Sequence, residues 1–128
     1  MSDSPPGDEV PPAEVARGVR EDGWLIVDVR TPDELQSDGR FPGARHVSMD
    51  SLNEQAETIP RDRTVIFACR TGSRSGMAAE AFRMAGWDAH NLAGGIDAWE
   101  AAGLEVERGE AGEAPPDEEA PPGETGSG

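Results

Sequence analysis

Thr64-Val65-Ile66-Phe67-Ala68-Cys69 runs straight into Arg70-Thr71-Gly72-Ser73-Arg74-Ser75-Gly76, and this junction decides the fold. A continuous apolar run between polar neighbours predicts a strand covered on both faces. The Gly/Ser/Arg segment predicts a short loop. Met77 to Ala85 then reads as a helix, with Met77, Ala78, Ala81, Phe82 and Ala85 on its packing face and Gly86 ending it. This order sets Cys69, the one cysteine of the chain, just ahead of a helix N-terminus. Amides there have no intrahelical acceptor, and the helix dipole favours negative charge. Arg70 and Arg74 add full positive charge. Each effect favours thiolate over thiol, so Cys69 is expected to have a depressed pKa. A lone cysteine is commonly an inert apolar filler, but such a filler needs neither two arginines nor a Gly-Ser turn.

The same alternation extends to both sides. Pro11 to Arg20 reads as a short helix with Val15, Ala16 and Val19 on one face, and Trp24 to Val29 as a second buried strand. Thr31-Pro32-Asp33-Glu34 has an N-cap threonine, proline at the first helical position and glutamate where a capping box needs it. That helix ends near Gly39, and Ala44 to Val47 makes a brief strand. Ser51-Leu52-Asn53-Glu54 reads as another capping box, for a helix stopping before Pro60. Asp88 to Leu92 is a strand, Gly94-Gly95 a turn, and Ile96 to Ala101 a helix anchored by Trp99. Leu104 to Val106 reads as a last edge strand. Strands alternating with helices predict an α/β domain in three layers, its central sheet mostly parallel and flanked by helices. Ligands of such sheets bind off the carboxyl ends of the strands, where Cys69 lies.

Composition bounds the rest. The 128 residues allow one domain with a modest core. Residues 109–128 hold six carboxylates, no arginine and no bulky apolar side chain, so an acidic, disordered tail is expected there. Residues 1–9 read as a flexible opening, leaving 10–108 as the folded domain. Net charge is −15, and −9 of it remains once the tail is set aside. All basic residues are arginine. Such a surface repels nucleic acid and anionic membranes, so neither is expected as a partner. Adaptation to high salt is preferred over ordinary solubility charge as the reading of this acidity. No run is long enough to span a membrane, and no basic-then-apolar signal opens the chain. One cysteine cannot make an internal disulfide, and no Cys/His cluster has metal-ligand spacing. A cytoplasmic protein with no metal or organic cofactor is expected, its thiol kept reduced.

Four segments together resemble the rhodanese-like single-domain sulfurtransferase family. Leu25-Ile26-Val27-Asp28-Val29-Arg30, continued by Thr31 to Glu34, is similar to its first strand signature. Gly39-Arg40-Phe41-Pro42-Gly43-Ala44 is similar to its Gly-His-Ile-Pro-Gly-Ala segment, with Arg40 in place of the usual histidine. Cys69 to Ser75 resembles its catalytic loop, and Leu92 to Trp99 its Gly-Gly-x-x-x-Trp segment. The resemblance implies transfer of a sulfane sulfur, with Cys69 as nucleophile passing through a persulfide. Arg70, Thr71, Gly72, Ser73, Arg74 and Ser75 would bind the donor. Their amides would cradle it and the two arginines would neutralise a dianion such as thiosulfate. The partners implied are a small anionic sulfur donor and a protein sulfur donor or acceptor.

Two alternatives share this architecture. Related phosphatases and arsenate reductases carry a Cys-x5-Arg loop, one residue longer, whose arginine clamps an oxyanion. Counted from Cys69, that position is Ser75, and Arg74 comes one place early, so the spacing favours sulfur. A sulfur-relay module dependent on a partner protein would also keep Cys69. Asp28 and Arg30 read as a structural polar pair at a strand end rather than as acid and clamp. Glu34 reads as a cap, and His46 and His90 are assigned no chemistry. Trp24, Trp87 and Trp99 read as packing.

Overall fold

The computed structural model describes residues 7–107. The acidic tail expected over 109–128 lies outside them. In chain order the elements are β1 (Glu9–Val10), α1 (Pro12–Glu21), β2 (Leu25–Asp28), α2 (Pro32–Asp38), β3 (Arg45–His46), α3 (Leu52–Gln55), β4 (Val65–Ala68), α4 (Ser73–Met84), β5 (Ala89–Leu92) and α5 (Gly95–Ala101). Single 3-10 turns at Met49–Ser51 and Ala56–Thr58 flank α3. The strands form one parallel sheet in the order β1-β5-β4-β2-β3. Among the described residues no helix is long and apolar enough to cross a membrane.

The central strand, β4, has no polar face, and the reason is its position. Val65, Phe67 and Cys69 enter one apolar cluster with Ala78, Ala79 and Phe82 of α4 and Leu52 of α3. Ile66 and Ala68 enter a second cluster, with Val15 of α1 and Ile96 and Trp99 of α5. Side chains alternate faces along a strand, so a strand between two helical layers must be apolar at every position. Fully burying side chains such as Ile66 and Phe67 contributes about 1.5–3 kcal/mol each.

The capping box at Thr31 is present. The Glu34 amide donates to Thr31 Oγ1, and the Thr31 amide donates to Glu34 Oε1. The one expected at Ser51 is not, because the chain is in a 3-10 turn there and Ser51 makes no side-chain cap. The helix after the cysteine starts at Ser73, four residues before the expected Met77. Its inward face is Ser75, Ala78, Ala79 and Phe82, while Met77 is 63% exposed and Ala81 and Ala85 face outward. Ser75 on the sulfur and Ala78, Ala79 and Phe82 in the first cluster fix the inward face, which leaves Met77 turned away from the sheet.

Leu104 to Val106 forms no strand. Arg40 and Glu107 instead make an isolated antiparallel bridge, each amide donating to the other's carbonyl at 2.8 Å. Leu104 and Val106 pack on the second cluster below Trp99, whose indole N–H donates to the Glu105 carbonyl at 2.7 Å. β1, not expected at all, begins one residue before the boundary placed at Val10. A two-residue strand carries no periodic pattern to read.

Candidate active site

Cys69 follows the last residue of β4, and Gly72 turns the chain into α4 at φ 99°, a left-handed conformation that glycine adopts without strain. A Cβ at Gly72 would also stand 3.2 Å from the Gly94 amide. The first turn of α4 therefore forms the far side of the loop. Gly95 closes the near side, where the Ile96 and Asp97 amides donate to the Cys69 and Arg70 carbonyls at 2.9 and 3.2 Å. A Cβ on Gly95 would collide with the Cys69 and Arg70 backbone, so the Gly94-Gly95 turn is what lets α5 approach so closely.

Three donors converge on the sulfur. The Gly72 amide lies 3.1 Å from Cys69 Sγ, the Ser75 amide 3.5 Å and the Ser75 hydroxyl oxygen 3.3 Å. Burial pushes the thiol pKa up, since Cys69 is fully buried. The Ser75 hydroxyl and the amides of Ser75, Gly72 and Thr71 outweigh that burial and bring it below the ordinary thiol value. Hydrogen bonds therefore stabilise the thiolate.

The other loop residues divide sharply. Ser75 is buried under the sulfur, whereas Thr71 and Ser73 are exposed, their hydroxyl oxygens 3.4 Å apart. Arg74 points to a carboxylate: its Nη1 and Nη2 donate to Glu34 Oε1 and Oε2, both at 2.8 Å. This bridge and the Thr31 amide hold the Glu34 carboxyl down at about 2, against a smaller opposing effect of burial. Arg70 stays more than half exposed, its Nε 3.8 Å from Asp97 Oδ2. Glu34 is thus both helix cap and partner of the loop arginine, a second role that cap spacing does not reveal.

Asp28 ends β2 and Arg30 follows two residues on, at the sheet's carboxyl edge, both buried. Arg30 Nε and Nη2 reach Asp28 Oδ1 and Oδ2 at 2.9 and 2.6 Å, and Nη2 also donates to the Gly39 carbonyl at 2.8 Å. His46 Nε2 sits 2.6 Å from the Arg30 carbonyl. These contacts tie the end of β2 to β3 and to the turn after α2.

Asn91 is the residue that sequence reasoning missed. It belongs to β5, on the face covered by α4, and is 2% exposed. Its Nδ2 donates to the Gly72 carbonyl at 2.9 Å and to both Glu9 carboxylate oxygens at 3.0 Å; its Oδ1 accepts the Ser75 hydroxyl at 2.6 Å. The only signal was an amide interrupting the apolar Ala89 to Leu92 run.

Comparisons with known proteins bear on the family and the fold. The profile of the rhodanese-like domain family matches residues 11–102. A sulfurtransferase from Allochromatium vinosum is 39% identical over 83 residues, covering 64% of this chain and 77% of that protein. The thiosulfate sulfurtransferase GlpE of Pseudomonas aeruginosa is 32% identical over 87 residues, covering 67% of this chain and 78% of that protein. In three dimensions the chain is similar to a rhodanese-related protein from Thermoplasma volcanium, with TM-score 0.72 and 25% identity, covering 78% of this chain and 97% of that one. With a family match over residues 11–102, which hold four of the five strands and the Cys69 loop, this chain belongs to the rhodanese-like domain family.

Proposed function

We propose that the chain is a sulfurtransferase that carries a sulfane sulfur as a Cys69 persulfide. The observation behind this reading is the set of donors on Sγ, two amides and one hydroxyl within 3.5 Å. They stabilise a sulfur anion at Cys69. Lengthened by one sulfur, the same group becomes a persulfide whose charge the neighbouring amides can follow. The sulfurtransferases among its relatives support sulfur transfer in general.

In the first half-reaction the Cys69 thiolate attacks the outer sulfur of the donor. The donor's S–S bond breaks, and its electron pair leaves on sulfite from thiosulfate, or on a thiolate from a persulfide. In the second, an acceptor nucleophile attacks the outer sulfur of the persulfide and the Cys69 thiolate is restored. No electrons enter from outside and the scheme calls on no cofactor. Cys69 is the catalytic residue, the Arg70–Ser75 backbone binds the sulfur, and Asp28 with Arg30 supports the edge on which the loop stands. Phosphate or arsenate chemistry is disfavoured because Ser75, buried beneath the sulfur, occupies the place of an oxyanion clamp. A reducing, cytoplasmic setting suits a reactive free thiol. The fitting partners are small anionic sulfur donors and proteins that present a persulfide or accept its sulfur.

Intact-mass spectrometry of the reduced protein tests this, with thiosulfate and cysteine persulfide as donors and Cys69→Ala as control. A gain of ~32 Da in the wild type alone, reversed by cyanide, is the expected result. No gain with either donor overturns the proposal.

A further inference from the structure

The loop contains two arginines but offers a donor little uncompensated positive charge. Arg74 is held by Glu34 through two parallel hydrogen bonds of 2.8 Å, the strongest geometry open to a guanidinium. Glu34 cannot readily swing away. Its Oε1 also accepts from the Thr31 amide at 3.0 Å, so release of the carboxylate would break its half of the capping box of α2. Arg70 has Asp97 beside it. Around Cys69 one loop arginine is thus tightly paired and the other loosely, at 3.8 Å between exposed ends, and the groups on the sulfur itself are uncharged donors. Those suffice for a single sulfur anion. The second charge of a dianion is left with the exposed Arg70, itself beside Asp97.

Arg74 is nevertheless close enough to matter. It directly precedes Ser75, whose amide and hydroxyl lie 3.5 and 3.3 Å from Cys69 Sγ, so it stands on the helix turn that supplies donors to the sulfur; the Glu34 carboxylate and the sulfur both favour its charged form. An arginine at that position would serve a dianionic donor if Glu34 did not occupy it.

We infer that Glu34 is a specificity-determining residue: by holding Arg74 it disfavours dianionic thiosulfate and leaves Cys69 suited to persulfide donors of low charge. This rests on the sulfur-transfer reading above and names the donor class for that same site. With such a donor, the Cys69 thiolate attacks the outer sulfur of R–S–SH. The S–S bond breaks, its electron pair leaves on R–S−, and Cys69–S–SH forms, with one negative charge on each side of the step. With thiosulfate, a dianion must approach a thiolate and a dianion must leave, beside an arginine already neutralised.

Glu34→Gln separates these cases. Glutamine at the same capping position still accepts from the Thr31 amide, so the helix start is retained while the charge on Arg74's partner is lost. The experiment uses the full chain as wild type, Glu34→Gln, and Glu34→Gln with Arg74→Gln. It measures KM and kcat for thiosulfate and for cysteine persulfide, with thermal unfolding as a check on folding. Wild type is expected to favour cysteine persulfide in kcat/KM. Glu34→Gln should lower KM for thiosulfate by roughly tenfold, the scale of one freed charge-assisted contact, while leaving KM for cysteine persulfide within about twofold. Adding Arg74→Gln should abolish the gain. An unchanged or higher thiosulfate KM in Glu34→Gln, or equal changes for both donors, overturns the inference while sulfur transfer stands. If neither donor loads wild-type Cys69, the sulfur-transfer reading itself fails.

Discussion

The Ser75 hydroxyl has one proton and two acceptors competing for it. Asn91 Nδ2 faces the Gly72 carbonyl and the Glu9 carboxylate, which only accept, so its Oδ1 must face Ser75. When Cys69 is a thiol, S–H donates to Ser75 Oγ and Ser75 donates on to Asn91. When Cys69 ionises, the Ser75 proton turns to the sulfur, 3.3 Å away. Ser75 also leads the groups that lower the Cys69 pKa against burial. Ser75→Ala is therefore expected to raise that pKa and to move the acid limb of kcat/KM to higher pH. The ultraviolet absorbance of the thiolate, followed against pH in both proteins, should shift the same way. A limb that stays in place would show that the backbone amides alone hold the anion. The variant also leaves Asn91 Oδ1 without its donor, at a cost of about 1–3 kcal/mol in stability. Of this network the sequence revealed Cys69 and the loop, because charge and glycine placement are local. Asn91 was hidden, because its partners come from β1 and α4 and meet only after β5 has paired.

Between elements, two contacts make opposite demands on ordinary rules. Gly18 lies inside α1, where alanine normally gains about 0.5–1 kcal/mol over glycine. Here the Trp24 ring rests directly on it, and a Cβ would collide with that ring. Gly18→Ala should therefore destabilise, by about 1–3 kcal/mol, in denaturant unfolding; a stabilised variant would mean Trp24 moves freely. The Glu34–Arg74 bridge between α2 and α4 has a pH signature. Glu34 titrates at about 2 in the folded chain against an ordinary 4.5. A depressed carboxylate pKa stabilises the fold above its unfolded value, and the contribution fades as pH falls through the folded one. The advantage of wild type over Glu34→Gln should thus be full at neutral pH and decline from 4.5 towards about 2. A difference independent of pH would mean the carboxylate's charge is not what matters. The bridge lay beyond sequence reading for the same reason as Asn91, since 40 residues separate its ends. The phase of α4 was missed because Ser73, Ser75 and Gly76 are weak helix formers. The Ser75 amide is used at the sulfur, and tertiary contacts override propensity.

For the whole molecule, the alternation of apolar runs with capped helices made the three-layer parallel sheet legible, since each buried strand must be apolar on both faces. Strand order was not legible from that pattern, because β1 and β3 are two residues each and pair only through the sheet. Charge acts at this scale too. A chain at −15 repels thiosulfate from every direction at low ionic strength, while attraction by the loop amides is confined to contact. Near 1 M salt the Debye length falls to about 3 Å, so the long-range repulsion is screened and the contacts survive. KM for thiosulfate should therefore fall as salt is raised from low concentration, until chloride competes for the loop. Cysteine persulfide, of low net charge, feels little of this field, and its KM should stay nearly flat over the same range. The ratio of the two KM values against ionic strength thus isolates the global field from the local site. A thiosulfate KM that climbs steadily from the lowest salt would mean that attraction at the loop, rather than repulsion by the surface, governs the encounter.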